Sequence, residues 1–256
     1  MCSSDLTKSE WNSADATFLT SGGESGGQWE FHRKVPSTWI MNYKNLRFRA
    51  HTSGSRHVGV FPEQACHWDW IGDQVHTHNS SSKENKLQIL NLFGYTGLAT
   101  LAAAQAGAQV THVDASKKVV QIGQENQNLS NLSQQPIRWL VDDAFKFVRR
   151  EIRRGSRYDG IILDPPKFGR GPQGQVWEFF ESLPNLLLDC KAILSEKPLF
   201  VVLTAYAIRA SSLSAYYALQ EMVAPLGGKI ESGELVLVEK SKNRMLSMAI
   251  FARWSR

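Results

Sequence analysis

The sequence predicts an α/β fold: a doubly wound, mostly parallel seven-stranded sheet that closes on a C-terminal antiparallel hairpin, preceded by a small β element. Three observations predict it. From Lys86 onward, short apolar runs alternate with longer amphipathic stretches, the pattern of strands and crossover helices. The last two apolar runs, Glu234 to Val238 and Met245 to Phe251, are joined by a charged loop from Glu239 to Arg244, too short for a crossover helix, so they pair antiparallel. Ahead of residue 86 the texture is instead one of closely spaced aromatic and β-branched residues.

Residues 1–27 are rich in Ser, Gly, Asp and Thr and include Ser21-Gly22-Gly23-Glu24-Ser25-Gly26-Gly27. So little apolar surface predicts a flexible tail. Residues 28–85 form a β-rich extension and lead-in, in which Trp29 and Phe31, then Trp39, Met41 and Tyr43, then Leu46, Phe48 and Ala50 mark two or three antiparallel strands. The polar stretch Ser80 to Asn85 separates it from the main domain, residues 86–256. Strands are expected there at Gln88 to Leu92, Val110 to Asp114, Ile137 to Val141, Gly160 to Leu163 and Leu199 to Thr204, with a helix from Leu98 to Ala106 after the first.

At 256 residues and 42% hydrophobic, the chain can bury one α/β core with an extension. The three cysteines, Cys2, Cys66 and Cys190, share no short spacing and form no zinc cluster with the seven histidines, so reduced thiols and a cytoplasmic protein are expected. No run reaches the ~20 apolar residues of a membrane helix, and no signal-peptide core opens the chain. His57, His67 and the His76-Thr77-His78 pair lack companion ligands and are read as non-ligands, with no metal expected. A net charge of +5 suits a polyanionic partner but is common in enzymes without one. Lys146, Arg149, Arg150, Arg153, Arg154 and Arg157 fall mostly on a helix after the third strand, read as a solvated face in preference to an RNA track.

The chemistry gathers at strand tips. Asn91-Leu92-Phe93-Gly94-Tyr95-Thr96-Gly97 ends the first strand and opens a helix, where glycines can bring bare amides to a ligand, although a plain turn reads the same way. The second strand ends Val113-Asp114-Ala115-Ser116, and a carboxylate there can accept both hydroxyls of a ribose or cap the next helix. Asp142-Asp143-Ala144-Phe145 follows the third strand, able to hold an adenine amino group beside Phe145, or again to cap. The fourth strand ends Leu163-Asp164-Pro165-Pro166-Lys167-Phe168-Gly169. A rigid proline carbonyl beside a carboxylate can hold an amino group for alkylation, with Phe168 stacked on its ring or merely packing in the loop.

At these motifs the chain resembles the bacterial ribosomal RNA methyltransferases that include the large-subunit cytosine-C5 and guanine-N7 enzymes, over roughly Gly59 to the C-terminus. The cofactor loop, the Asp164 to Phe168 motif and a Phe61-Pro62-Glu63-Gln64 lead-in carry the resemblance, in that order-preserving combination. It implies a Rossmann-like methyltransferase domain with S-adenosylmethionine as cofactor. Phe61 and Gln64 would border that cofactor, Asp114 bind its ribose, Asp143 or Asp142 its adenine, and Asp164, Pro165, Pro166, Lys167 and Phe168 the substrate.

Two departures matter. The fifth strand ends Leu203-Thr204-Ala205-Tyr206-Ala207, without the cysteine nucleophile of cytosine-C5 members, and Cys66, near the lead-in, is a remote substitute, while Cys190 lies in an apolar helix run. The separate N-terminal RNA-binding module that many members carry is not expected here, the short β element being the candidate substitute. The expectation is therefore methyl transfer to a nucleobase nitrogen in ribosomal RNA; a protein or small-molecule substrate stays open. So do a nicotinamide-dependent oxidoreductase, disfavoured because the loop is Gly94-x-x-Gly97 and not GxGxxG, and a non-catalytic RNA-binding protein.

Overall fold

The computed structural model describes residues 7–21, 26–54, 56–81 and 86–256; Cys2, the middle of the Ser21 to Gly27 stretch and residues 82–85 of the polar stretch lie outside them. Ahead of the main sheet lie α1 (Lys8–Asn12), the hairpin of β1 (Ala16–Thr20) with β2 (Gly27–Phe31), and the hairpin of β3 (Thr38–Tyr43) with β4 (Leu46–His51). A helical turn at Pro62–Gln64 leads into α2 (Ala65–Ser81). The α/β unit then runs β5 (Gln88–Leu92), α3 (Leu98–Gln105), β6 (Gln109–Asp114), α4 (Lys117–Leu129), β7 (Ile137–Val141), α5 (Ala144–Arg154), β8 (Gly160–Leu163). It continues through the short hairpin β9 (Phe168–Arg170) and β10 (Val176–Glu178), then α6 (Phe179–Lys191), β11 (Phe200–Tyr206), α7 (Ser212–Val223), β12 (Lys229–Val238) and β13 (Met245–Ser255).

The seven-stranded sheet has the order β12-β13-β11-β8-β5-β6-β7, with β5, β6, β7, β8 and β11 parallel and β13 antiparallel to both neighbours. Alternate residues supply its two faces, as a pleat of period two requires. Ile89, Val110, Ile162 and Val202 meet Ile71 and Val75 of α2 on one face. Leu90, Leu92, Ile161, Leu163, Val201 and Leu203 meet Phe147 of α5, Leu186 of α6 and Leu219 of α7 on the other. Both faces being covered, the inner strands read as unbroken apolar runs. The chain enters at β5, winds outward to β7, then restarts at β8 on the other side of β5, so the crevice forms where the winding reverses, above the C-terminal tips of β5 and β8.

Local rules explain the helix ends. Asp143 caps α5 by accepting from Lys146 N at 3.0 Å, and Gly155 ends it in the left-handed region, φ 68°. The outer face of α5 is basic, but Arg149 pairs with Asp189, Arg150 with Asp142 and Arg154 with Glu151. Three of the six basic residues named from the sequence are thus ion-paired within the fold.

The structure differs from the sequence expectation in three places. Residues 8–20, read as part of a flexible tail, carry α1 and β1, because β1 finds a partner in β2 that no local pattern announces. The lead-in contains the long helix α2, whose Trp68, Ile71 and Val75 recur at helical spacing and are buried. The β9–β10 hairpin was not foreseen, since its strands have three residues each.

Candidate functional site

The glycine loop, the second acidic tip and the Asp164 motif converge. Leu92 of β5 pairs with Val113 of β6 on one side and Leu163 of β8 on the other, so the three segments that follow leave the sheet as neighbours. The loop from Phe93 to Gly97 bends sharply, with Phe93, Tyr95 and Gly97 at positive φ (58°, 50° and 86°). Gly94 is needed for a different reason: a Cβ there would lie 2.3 Å from the ring of His112. That histidine is wholly buried, bonded through Nδ1 to Thr100 Oγ1 at 2.9 Å, and burial pulls its pKa down to about 3, so it stays neutral and rigid beneath the loop.

Asp114 is held against this turn. Its carboxylate accepts from Tyr95 N at 2.9 Å and Ser116 N at 2.8 Å; burial raises its pKa although these two bonds pull the other way. Ala115 is half-buried beside it, and Ser116 is exposed at the start of α4. Asn91 and Thr96 sit differently: Asn91 Nδ2 donates to Thr100 Oγ1 at 2.9 Å inside the core, and Thr96 Oγ1 donates to Gly59 O at 2.8 Å. They buttress the loop from behind. At the third tip, Asp142 is ion-paired with Arg150, Asp143 is engaged in capping, and Ala144 is buried.

Asp164 is the electrostatic centre. Gln64 Nε2 donates to its Oδ2 at 3.0 Å, while Oδ1 is buried without a hydrogen-bond partner. Burial, with the nearby carboxylates of Glu63 and Asp114, pushes its pKa up to about 8. Glu63 is itself buried, with Oε1 also unpartnered. Phe61 packs between Tyr95 and Tyr206, with ring centroids at 5.5 and 5.2 Å, and touches His57 at 4.4 Å. Three carboxylates with aromatic walls and orphaned acceptors are the surroundings in which a cationic ligand gains most.

Beyond Asp164 the chain is pinned by a residue not singled out from the sequence. Trp177 of β10 donates from Nε1 to Pro166 O at 2.6 Å, and its ring packs on Phe93 at 5.0 Å and Phe145 at 5.8 Å. It thus ties the tandem prolines to the glycine loop. Lys167 and Phe168 are exposed, Phe168 at 56% despite its size. Glu63, Tyr206 and Asn126 were also missed. Asn126, fully buried in α4, accepts from Arg49 N of β4 at 2.8 Å and donates to Thr96 O at 3.0 Å. Only its asparagine side chain, offering both a donor and an acceptor, could have flagged it.

Other features lie elsewhere. Cys66 bonds to Glu63 O at 3.5 Å and burial raises its thiol pKa, and Cys190 is buried with its thiol raised further. His67 is buried against Phe251, its pKa drawn down to about 3 by burial. Among the described residues no group of three His, Cys, Asp or Glu could hold a metal, and no helix is long and apolar enough to cross a membrane. A cavity of about 530 Å³ opens at the opposite edge of the sheet, between Gln88, Gln109, Arg138 and Tyr158, away from every strand tip discussed above.

Comparison with known proteins agrees with this geometry. Residues 22–198 match the family model for S-adenosylmethionine-dependent methyltransferases. The chain is similar to a methyltransferase of that cofactor class from Agrobacterium tumefaciens, at 47% identity and a TM-score of 0.91 over 98% of this chain and 80% of the other. Two putative methyltransferases share the fold at 19% and 17% identity, TM-scores 0.69 and 0.68, each over 89% of this chain and 58% of theirs; one was crystallised with S-adenosylhomocysteine, the other comes from Streptococcus mutans. Ribosomal RNA large subunit methyltransferase I of Escherichia coli is 40% identical over 86 residues, 33% of this chain and 22% of that protein. The match thus spans less than a quarter of that curated relative. The chain belongs to the S-adenosylmethionine-dependent methyltransferase family.

Proposed function

We propose that this methyltransferase modifies a nucleobase nitrogen in RNA, ribosomal RNA foremost. The observation that carries the reading is Asp164: a buried carboxylate with one oxygen held by Gln64 and the other unpartnered, next to the tandem prolines and an exposed phenylalanine. An exocyclic base amine is a weak nucleophile because its lone pair is delocalised. It needs acceptors for its hydrogens, and the Asp164 carboxylate and the Pro165 carbonyl are suited to that, with Phe168 against the ring. As the nitrogen bonds to the methyl carbon, its surplus proton has a nearby acceptor in Asp164.

Bound S-adenosylmethionine would supply an electrophilic methyl group on a sulfonium. Asp114 would take the ribose, with Ala115 and Ser116 beside it; Phe61, Gln64, Phe93, Gly94, Tyr95 and Gly97 would line the methionine side, and Asn91 and Thr96 hold their loop. Asp142, Asp143 and Ala144, at the start of α5, would border the adenine; both carboxylates are engaged there, and the Asp142 and Asp143 amides already donate to Asp114 O and Asp142 Oδ1. Chemistry at carbon through a thiolate is disfavoured: Tyr206 stands at the tip of β11, and the Cys66 thiol is raised by burial.

The test is transfer of a radiolabelled methyl group from S-adenosylmethionine to deproteinised ribosomal RNA, followed by nucleoside analysis. Label in an N-methylated nucleoside is expected; label confined to added protein or small molecules would overturn the RNA reading, and no transfer at all would favour a binding role. Trp177 should act as a positioning residue for this reaction. Trp177→Phe keeps most of the packing but removes the bond to Pro166, so kcat should fall on the order of 10- to 100-fold while the Kd for the cofactor changes little. A parallel loss of both would reduce Trp177 to a packing role.

A further inference from the structure

We infer that the hairpin linking β12 to β13 is an RNA-binding arm beside the reaction centre, an inference that rests on the RNA reading above. β13 pairs with β11 as far as Ala249, opposite Tyr206, and then continues through Met245–Met248 beyond the sheet. At ~3.3 Å per residue this overhang is about 13 Å before the turn begins. It projects from the same edge as the tips of β5, β6 and β8, because β11 runs parallel to β8. The ladder between the two strands shifts register at Leu235/Val236, where the arm leaves the sheet, and such irregularities re-aim strands at sheet edges and next to active sites.

Position selects the partner. The glycine loop and Asp114 occupy the tips of β5 and β6, and the arm stands on the other side of Asp164, beyond β11. The arm is charged to suit a phosphate backbone. Its one acidic side chain, Glu239, is neutralised by Arg244 through bonds of 2.6 and 2.7 Å, while among the described residues Lys240 and Lys242 have no ion-pair partner. Arg209, exposed just past the tip of β11, and Arg170, exposed on β9 two residues after Phe168, extend the basic surface along this edge. The same arm exposes Met245 at 76% and Val238 at 55%, apolar surface on which an unstacked base can rest. Lysines flanked by exposed apolar side chains match the electrostatic groove and stacking platform of single-strand RNA recognition.

The experiment compares the wild-type chain with Lys240→Ala/Lys242→Ala. Fluorescence anisotropy with a labelled mixed-sequence single-stranded RNA oligonucleotide is measured over a series of salt concentrations, and cofactor affinity is measured by calorimetry. Loss of two phosphate contacts predicts a log–log salt slope shallower by about 1.4 and an affinity lower by roughly 10-fold at low salt, with cofactor affinity unchanged. An RNA affinity and slope equal to wild type would overturn the arm while leaving the RNA reading intact. If the wild-type protein binds cofactor but neither this oligonucleotide nor ribosomal RNA, both fall, and the exposed arm becomes a surface for a protein partner. The control substitution Arg153→Ala, on the exposed face of α5 and away from the arm, should leave the salt slope unchanged.

Discussion

The affinity of the protein for S-adenosylmethionine is expected to rise as pH increases through about 8, and Asp164→Asn is expected to flatten that rise and abolish methyl transfer. In the free protein the Asp164 carboxyl holds its proton up to about 8, because burial and the carboxylates of Glu63 and Asp114 oppose its charge. A cationic ligand favours the carboxylate, so binding releases this proton at lower pH and proceeds without that cost at higher pH. Transfer in the variant should fall on the order of a thousandfold, since an amide can neither hold the amine in the same way nor accept its proton. The same shift has a stability consequence of defined sign. A folded pKa above the unfolded value near 3.8 means that the unfolded chain gives up its proton first as pH rises, so the unliganded protein loses stability between that value and about 8. Asp164→Asn should therefore be more stable than wild type at neutral pH, by about 1–2 kcal/mol, and show a higher Tm in the absence of cofactor. A pH-independent Kd in the wild type would remove Asp164 from the cofactor's surroundings.

Gly94→Ala should cost both stability and cofactor affinity. The added Cβ would meet the His112 ring at 2.3 Å and Asn91 Nδ2 at 3.1 Å, and His112 is fixed by Thr100 beneath and Trp139 alongside, with ring centroids 4.4 Å apart. The loop must move because the histidine cannot, at about 1–3 kcal/mol. Displacement of the Tyr95 amide also loosens Asp114, so cofactor binding should weaken at least about 10-fold. Denaturant unfolding and calorimetry read the two effects, and His112→Ala in the same chain should recover part of the stability, as expected for coupled neighbours. A Gly94→Ala protein with wild-type stability would show that the loop has room to spare.

The main sheet was legible in the sequence because its strands are buried on both faces and separated by amphipathic helices, so periodicity alone placed β5 to β8. The hairpin at the end was legible from the length of its loop. The same reasoning put Gly94, Asp114 and Asp164 on neighbouring tips, which the pairing of Leu92 with Val113 and Leu163 bears out. What stayed hidden depends on tertiary partners. α2 interleaves Trp, His and Asp with few apolar residues, so the helical spacing of Trp68, Ile71 and Val75 stands out only once the helix packs against α3 and the sheet. Trp177 lies in a three-residue strand, eleven residues past the carbonyl it binds. Asn126 looks like an ordinary solvated helix position until β4 and the loop are brought to it. Asp142 and Asp143 read as ligands or caps with equal ease, and their partners Arg150 and Lys146 decide how much of each carboxylate is still available.

Asn126 and its neighbour Ser130 together accept the amide protons of Arg49 and Arg47, and Ser130 also donates to the Arg47 carbonyl at 2.8 Å. An excised fragment starting at Lys86 would strip Asn126 and Ser130 of these partners and unclamp Thr96 from Gly59 at the same stroke. The early hairpin is thus a keystone of the glycine loop and of the donor pocket proposed around it, and anyone trimming this protein to a minimal enzyme should begin the cut upstream of it.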